Sequence, residues 1–324
     1  MIRLSGRSGP LLALTVAALL SGACSSGDDA GSSATTTTAR SSEATRAAAA
    51  PEAGDCLEPM TQRMASDVRL PAVVACDEPH GGEVVAMFEI PDPGDGVYPG
   101  WSGRIEGADE QVRACAGGRG ERGALASFLG STPLTLDDPA VAAGATDAYA
   151  VSGLQYAVFL PGTAAWQAGA RWMACAAVLS NSLKVPSSYT GSAKGALATP
   201  GKLDVTFSWC KQQPPGSRDS FVVVPCSTTH NYEQLAAFSV GADGTDYPGE
   251  DALGALSANA CPPLSSQATA GASDSLPADL GLGWTYPTES EWASGDRSVR
   301  CFAVDEQGDT TGSVSSGSGG ATPN

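Results

Sequence analysis

The chain has 324 residues, of which 42% are apolar and only 16% charged, with 39 Gly and 22 Pro. That balance is too apolar for a wholly disordered chain and too rich in helix breakers for a helical bundle, and the length suits two small domains with tails. A formal charge of −17 repels phosphate backbones, which sets the protein against a nucleic-acid partner.

Residues 1–23 read as an export leader. Arg3 and Arg7 supply a basic start, and Pro10–Leu20 (PLLALTVAALL) is an apolar run too short to span a bilayer. The following Leu20-Ser21-Gly22-Ala23-Cys24 places small residues before a cysteine. This resembles the bacterial lipobox, although Ser21 stands where the strongest examples carry a branched aliphatic residue. The resemblance implies a lipoprotein signal peptide: the Cys24 thiol takes diacylglycerol, the leader is cut before it, and the new amine takes a palmitate-type acyl group. Secretion with cleavage after Ala23 is the alternative. Two or three acyl chains would hold the protein stably on the outer face of the cytoplasmic membrane. Residues 24–54 carry almost no large apolar side chain and are expected to form a disordered stalk, with a reach of about 30 Å.

Beyond the stalk, the chain repeats itself. Eight cysteines fall into two sets, Cys56, Cys76, Cys115, Cys175 and Cys210, Cys226, Cys261, Cys301. An apolar run ends at Cys76 and again at Cys226. Four residues on stand the chain's two histidines, His80 and His230, and three further on Glu83 and Glu233 open new apolar segments. Tyr98-Pro99-Gly100 matches Tyr247-Pro248-Gly249. Pro161, Trp166, Gly169, Arg171 and Cys175 match Pro287, Trp292, Gly295, Arg297 and Cys301 without a gap. We read two copies of one domain, at 55–181 and 204–306, with a linker at 182–203 and a disordered tail at 307–324.

Four cysteines allow three pairings in each copy. We expect first to second and third to fourth, so that one bridge ties neighbouring strands and the other pins a helix to the sheet, each contributing roughly 2–4 kcal/mol. The apolar runs around the histidines, 154–160, 171–178, 283–286 and 298–304 read as strands. Helices are expected over 103–115, stopped by Gly117-Gly118, and over 250–261, stopped by Pro262-Pro263. The expected fold class is α+β: two homologous small disulfide-stapled domains, each one helix packed on an antiparallel sheet.

Each half resembles the septum-formation domain family of actinobacterial envelope proteins. The resemblance rests on Asp55-Cys56-Leu57, Cys76-Asp77-Glu78-Pro79-His80 with Glu83, the two Tyr-Pro-Gly turns, and the closing block ending Gly295-Asp296-Arg297 and Cys301. Ala170 departs from the pattern where the second copy has Asp296, and Thr229 departs where the first has Pro79. The resemblance implies an exported or membrane-attached protein of the cell envelope, linked to division, and no particular reaction.

Candidate binding residues are His80, Glu83, Trp166, Arg171, His230, Glu233, Trp292 and Arg297. A His-x2-Glu pair could serve acid/base or metal chemistry, or a pH-sensitive contact. It falls short of the three or four ligands that zinc requires, and oxidised cysteines cannot complete the set. The plainer reading satisfies each imidazole inside its own domain. Each Trp/Arg pair suits a guanidinium stacked on an indole, as part of a binding surface or, the better reading, as a structural β-turn clamp anchored by Gly169 and Gly295. Asp92/Asp95 and Asp243/Asp246 lack EF-hand spacing. Gly118-x-Gly120-x-x-Gly123 follows a helix instead of a strand, so it is no dinucleotide fingerprint. No metal and no cofactor are expected. The function expected is a non-enzymatic, lipid-anchored binding or scaffold module with an envelope protein partner; the alternative is an exported metal-dependent or acid/base enzyme built on the His-x2-Glu pairs.

Overall fold

The computed structural model describes residues 50–59, 70–91, 108–117, 123–138, 141, 144–179, 188–214, 221–241, 244–270, 276–317 and 320–321. The leader, Cys24, most of the stalk, Asp92, Asp95, Tyr98-Pro99-Gly100, Gly118, Gly120 and Asp243 lie outside the described residues. All described residues belong to the compact unit Glu43–Asn324. Among them no helix is long and apolar enough to cross a membrane.

The first half supplies β1 (Cys56–Leu57), β2 (Val73–Val74), β3 (Gly82–Glu89), α1 (Asp109–Ala116), α2 (Ala124–Leu129), β4 (Ala145–Ala150), β5 (Leu154–Phe159), α3 (Thr163–Gln167) and β6 (Trp172–Leu179). Its sheet runs β2-β1-β3-β6-β5, with every pair antiparallel. The second half supplies β7 (Trp209–Gln212), β8 (Val222–Val224), β9 (Tyr232–Val240), α4 (Glu250–Thr269), β10 (Gly281–Thr285), α5 (Glu289–Ala293) and β11 (Ser298–Val304), followed by β12 (Thr310–Thr311) and β13 (Gly320–Ala321). Its sheet runs β10-β11-β9-β7-β8. The class is α+β with antiparallel sheets dominant.

Disulfides join Cys56 to Cys76, Cys115 to Cys175, Cys210 to Cys226 and Cys261 to Cys301. In each half the first bridge links paired strands at their turn, and the second ties a helix, α1 or α4, to the strand β6 or β11. This is the order expected from the sequence. The period-2 alternation of β11 explains the second bridge. Val299, Cys301 and Ala303 point into the core beneath α4, while Arg300, Phe302 and Val304 occupy the other face.

Several expectations are corrected. Pro262 and Pro263 lie inside α4, which continues to Thr269. Two prolines forfeit two backbone donors, yet the buried stripe Leu253, Ser257, Ala260, Cys261, Leu264 and Ala268 runs unbroken past them. Packing on the sheet and the Cys261 bridge outweigh the local cost. The Trp166 and Trp292 blocks form the short helices α3 and α5 instead of turns. The first half carries α2 as well as α1. Residues 188–203, assigned to the linker, and most of 307–317, assigned to the disordered tail, are hydrogen-bonded straps laid back over their own halves, as the site geometry below explains.

The halves also interlock. β4 precedes β5 by only three residues but leaves that sheet to pair with β9, aligning Ala145 with Val240 and Ala150 with Ala236. Leu134, Val141, Ala145 and Ala148 are buried in the second core beside Leu235, Leu253 and Leu264. The Gln267 side chain accepts from Thr135 N at 2.7 Å and donates to Thr135 O at 2.8 Å. Between β4 and β5 the backbone passes so close to the second half that a Cβ on Gly153 would lie 3.1 Å from Ser208 O. The boundaries 55–181 and 204–306 therefore do not coincide with self-contained packing units.

A fragment of residues 204–324 lacks β4 and the Leu134 and Val141 side chains, whose burial contributes about 1.5–3 kcal/mol each. It should show no cooperative thermal transition by circular dichroism, whereas the full chain should. A sharp transition in the fragment would contradict the interlocked core.

Candidate functional site

Each histidine closes the tight turn after a short strand. His80 Nδ1 donates to Glu78 O at 2.9 Å, and His230 Nδ1 to Thr228 O at 2.8 Å. A carbonyl only accepts, so these bonds place the proton on Nδ1. Both rings are buried, and both Nε2 atoms are without a hydrogen-bond partner among the described residues. The backbone of His80 bridges Tyr189, and that of His230 bridges Thr310. The His80 and Tyr189 ring centroids are 4.2 Å apart. Burial first, and the Glu83 charge second, push the Tyr189 hydroxyl up.

The two glutamates anchor the straps. Glu83, 4% exposed, accepts from Ser192 Oγ at 2.9 Å and from Ala193 N at 3.1 Å. Glu233, 2% exposed, accepts from Ser313 Oγ at 2.7 Å, Val314 N at 2.6 Å and Ser315 N at 3.1 Å. A Thr-Gly-Ser triplet carries both straps, at Thr190-Gly191-Ser192 and Thr311-Gly312-Ser313. Gly191 and Gly312, at φ +79° and +83°, donate their N–H groups to Cys76 O and Cys226 O, both at 2.7 Å. The recurring triplet was the available signal for the straps, hidden among small polar residues.

Metal-ligating atoms of Cys210, His230 and Glu233 lie within 4.8 Å of one another. Cys210 is bonded to Cys226, and a thiolate is what zinc takes. The Glu233 oxygens meanwhile serve the strap. This geometry fits a structural cluster and does not supply a metal-ligand set.

Both Trp/Arg pairs are stacked. The guanidinium carbon of Arg171 lies 3.9 Å from the Trp166 ring centroid, and that of Arg297 lies 3.8 Å from Trp292. Arg171 Nη1 donates to Trp166 O at 2.8 Å and Ala170 O at 2.9 Å. Arg297 Nη1 donates to Trp292 O and Asp296 O. Gly169 and Gly295, at φ +96° and +97°, turn the chain so that each arginine folds back over its indole. Trp292 Nε1 donates to Thr245 O at 2.8 Å. The structure thus gathers the eight candidate residues into two strap anchors and two turn clamps, all directed inward.

The accessible feature lies elsewhere, on the face of the second sheet opposite α4. Strand register aligns Lys211, Tyr232, Val304 and Gly281 in one row across β7, β9, β11 and β10. A neighbouring row holds Trp209, Gln234, Phe302 and Gly283. Gly281 and Gly283 present no side chain there, and a cavity of about 650 Å³ opens beside Phe221, Tyr232 and Phe302. The Tyr232 ring meets Phe221 edge-on at 5.0 Å and Phe302 at 6.4 Å. Lys211 Nζ sits 4.4 Å from the Trp209 centroid and 5.3 Å from that of Phe302. Burial first, and Arg300 second, push the Lys211 ammonium down. Sequence reasoning missed this groove because its residues come from five separate segments.

After β11, Asp305 turns the chain toward its strap. Burial raises its pKa, but Thr310 Oγ1 and the N–H groups of Gln307, Thr310 and Gly308 overcome that and hold the carboxyl down at about 2. Its Oδ2 accepts from Asp309 N, Thr310 N and Thr310 Oγ1 at 2.8–2.9 Å.

A protein-family model described as septum formation matches residues 147–301. The match starts in β4 and ends at Cys301 of β11, so one continuous stretch crosses the interlocked joint instead of stopping at the expected boundary. No curated protein and no solved structure matches the chain.

Because the Asp305 pKa is depressed on folding, its contribution is fully present above about pH 4 and is lost as the pH falls toward 2. Asp305→Asn should lower the unfolding free energy at pH 7 by roughly 1–2 kcal/mol and flatten stability over that acid window; an unchanged acid profile would exclude the role. Glu233→Gln puts an amide against three donors and should cost about 2–3 kcal/mol in denaturant titrations.

Proposed function

We propose that the chain is a non-enzymatic envelope lipoprotein, held outside the cytoplasmic membrane through Cys24, whose tandem septum-formation-like halves act as a binding or scaffold module in the cell envelope or in division. The septum-formation match over 147–301 supports the setting, and the basic and apolar leader ending at Cys24 supports the anchor. The tandem reading is supported by the matched disulfides, His turns, strap anchors and Trp/Arg clamps. The observation that carries the binding reading is the division of labour on the second sheet. The His230 and Glu233 side chains are packed beneath a strap, while Lys211, Phe221 and Tyr232 line an open cavity together with the buried Phe302 ring.

The alternative, an acid/base or metal-dependent enzyme on the His-x2-Glu pairs, needs groups that a substrate can reach. Burial of both imidazoles and the engagement of both carboxylates by strap donors speak against it.

Cys24→Ala should shift the protein from the membrane to the soluble fraction; full membrane retention would rule out the acyl anchor as its main attachment. Crosslinking on intact cells, followed by pull-down of the full chain, should recover a discrete envelope partner. Recovery of lipoprotein sorting machinery alone would overturn the scaffold reading.

A further inference from the structure

We propose that the open face of the second sheet binds a single-chain amphiphile with an anionic head, its apolar body lying across the strands against Phe221, Tyr232 and Phe302 and its head beside Lys211. This rests on the binding-module reading and names the ligand class for it.

The cavity volume of about 650 Å³ falls within the range of small-ligand sites, which combine apolar walls with few polar groups. Here the walls are aromatic and aliphatic. Gly281 and Gly283 add no side chain to that end of the groove, and a Cβ on Gly283 would stand 2.8 Å from Val304 Cγ2, so Val304 packs directly on the β10 backbone and forms the floor there.

Charge then selects the head group. Lys211 is partly buried over two aromatic rings. The charge that acts on it is another cation, Arg300, which is itself 3.7 Å from Asp296. Asp279 and Glu306 also line the cavity. Among the described residues Lys211 makes no ion pair, and an incoming anion would relieve the burial of its ammonium against the two rings. Trp209 Nε1, buried and without a partner among the described residues, is a further donor in the adjacent row.

Direction selects the body. The groove crosses the strands from β7 to β10, about 15 Å at the usual strand spacing. The backbone groups of β9 and β11 are already used within the sheet. A peptide lying crosswise would bury its own amides without partners, which is costly, whereas an alkyl chain has no such groups to satisfy.

The test uses the full chain carrying Cys24→Ala. It is titrated below micellar concentrations with dodecanoate, dodecyl phosphate, dodecanol and dodecyltrimethylammonium, and read by calorimetry and tryptophan fluorescence. Saturable binding of at least one anionic probe, at least tenfold tighter than dodecyltrimethylammonium, is expected. The carboxylate and phosphate arms report which head group is preferred. Lys211→Gln should weaken the anionic probes at least tenfold while changing dodecanol binding little. Phe221→Ala, at a half-exposed ring, should weaken all bound probes, with circular dichroism confirming the fold. Equal affinity for the cationic probe, insensitivity to Lys211→Gln, or saturable binding only of an extended peptide would overturn the proposal. Failure here with a partner still crosslinked at the membrane would sink the ligand class alone; amphiphile binding without any partner would sink the scaffold reading alone.

Discussion

A buried carboxylate that holds down the chain passing over it organises each half of this protein. An unpartnered carboxylate at such burial would cost several kcal/mol. Glu233 meets that cost with a serine hydroxyl and two consecutive backbone N–H groups of its strap, and Glu83 does so with Ser192 and Ala193. The exchange is mutual, since loop amides that would otherwise need water find an acceptor. The histidine beside each glutamate fixes the strap's approach through its backbone bridge, and the neighbouring disulfide keeps the turn closed.

The two sheets diverge on their other faces. In the second half the residues beside the matching cysteines are Lys211, Arg300 and Phe302, which form or flank the groove. In the first half the corresponding positions next to Cys56 and Cys175 are Leu57, Ala174 and Ala176, all fully buried, with Leu70 packed against them. One face has been made into core and the other left open, on the same strand framework. β4 couples the two, because a strand that continues into the first sheet completes the second. The halves thereby share a core instead of sitting at either end of a linker.

Much of this was legible in the residues. The cysteine order, the positions of His80, His230, Glu83 and Glu233, and the Trp/Arg spacing all rest on local pattern, and the structure makes compact local motifs of the Trp/Arg clamps and the His turns. What was hidden has identifiable causes. The straps are built of Ser, Thr, Gly and Ala, whose composition resembles linker because their stabilisation comes from a distant glutamate. The helix through Pro262-Pro263 is decided by tertiary packing over local propensity. The sequence pattern predicts no strand over 145–150, and nothing in the six residues of β4 states which sheet it joins. The groove exists only once strand register brings Lys211, Tyr232, Phe302 and two glycines together.

The most direct test of the strap anchors is hydrogen exchange on the full chain, followed at the amides of Val314, Ser315 and Gly312. Anchoring by the buried carboxylate predicts protection approaching that of β9, abolished by Glu233→Gln while β9 itself stays protected. Exchange at these amides as fast as in an unfolded segment would contradict it.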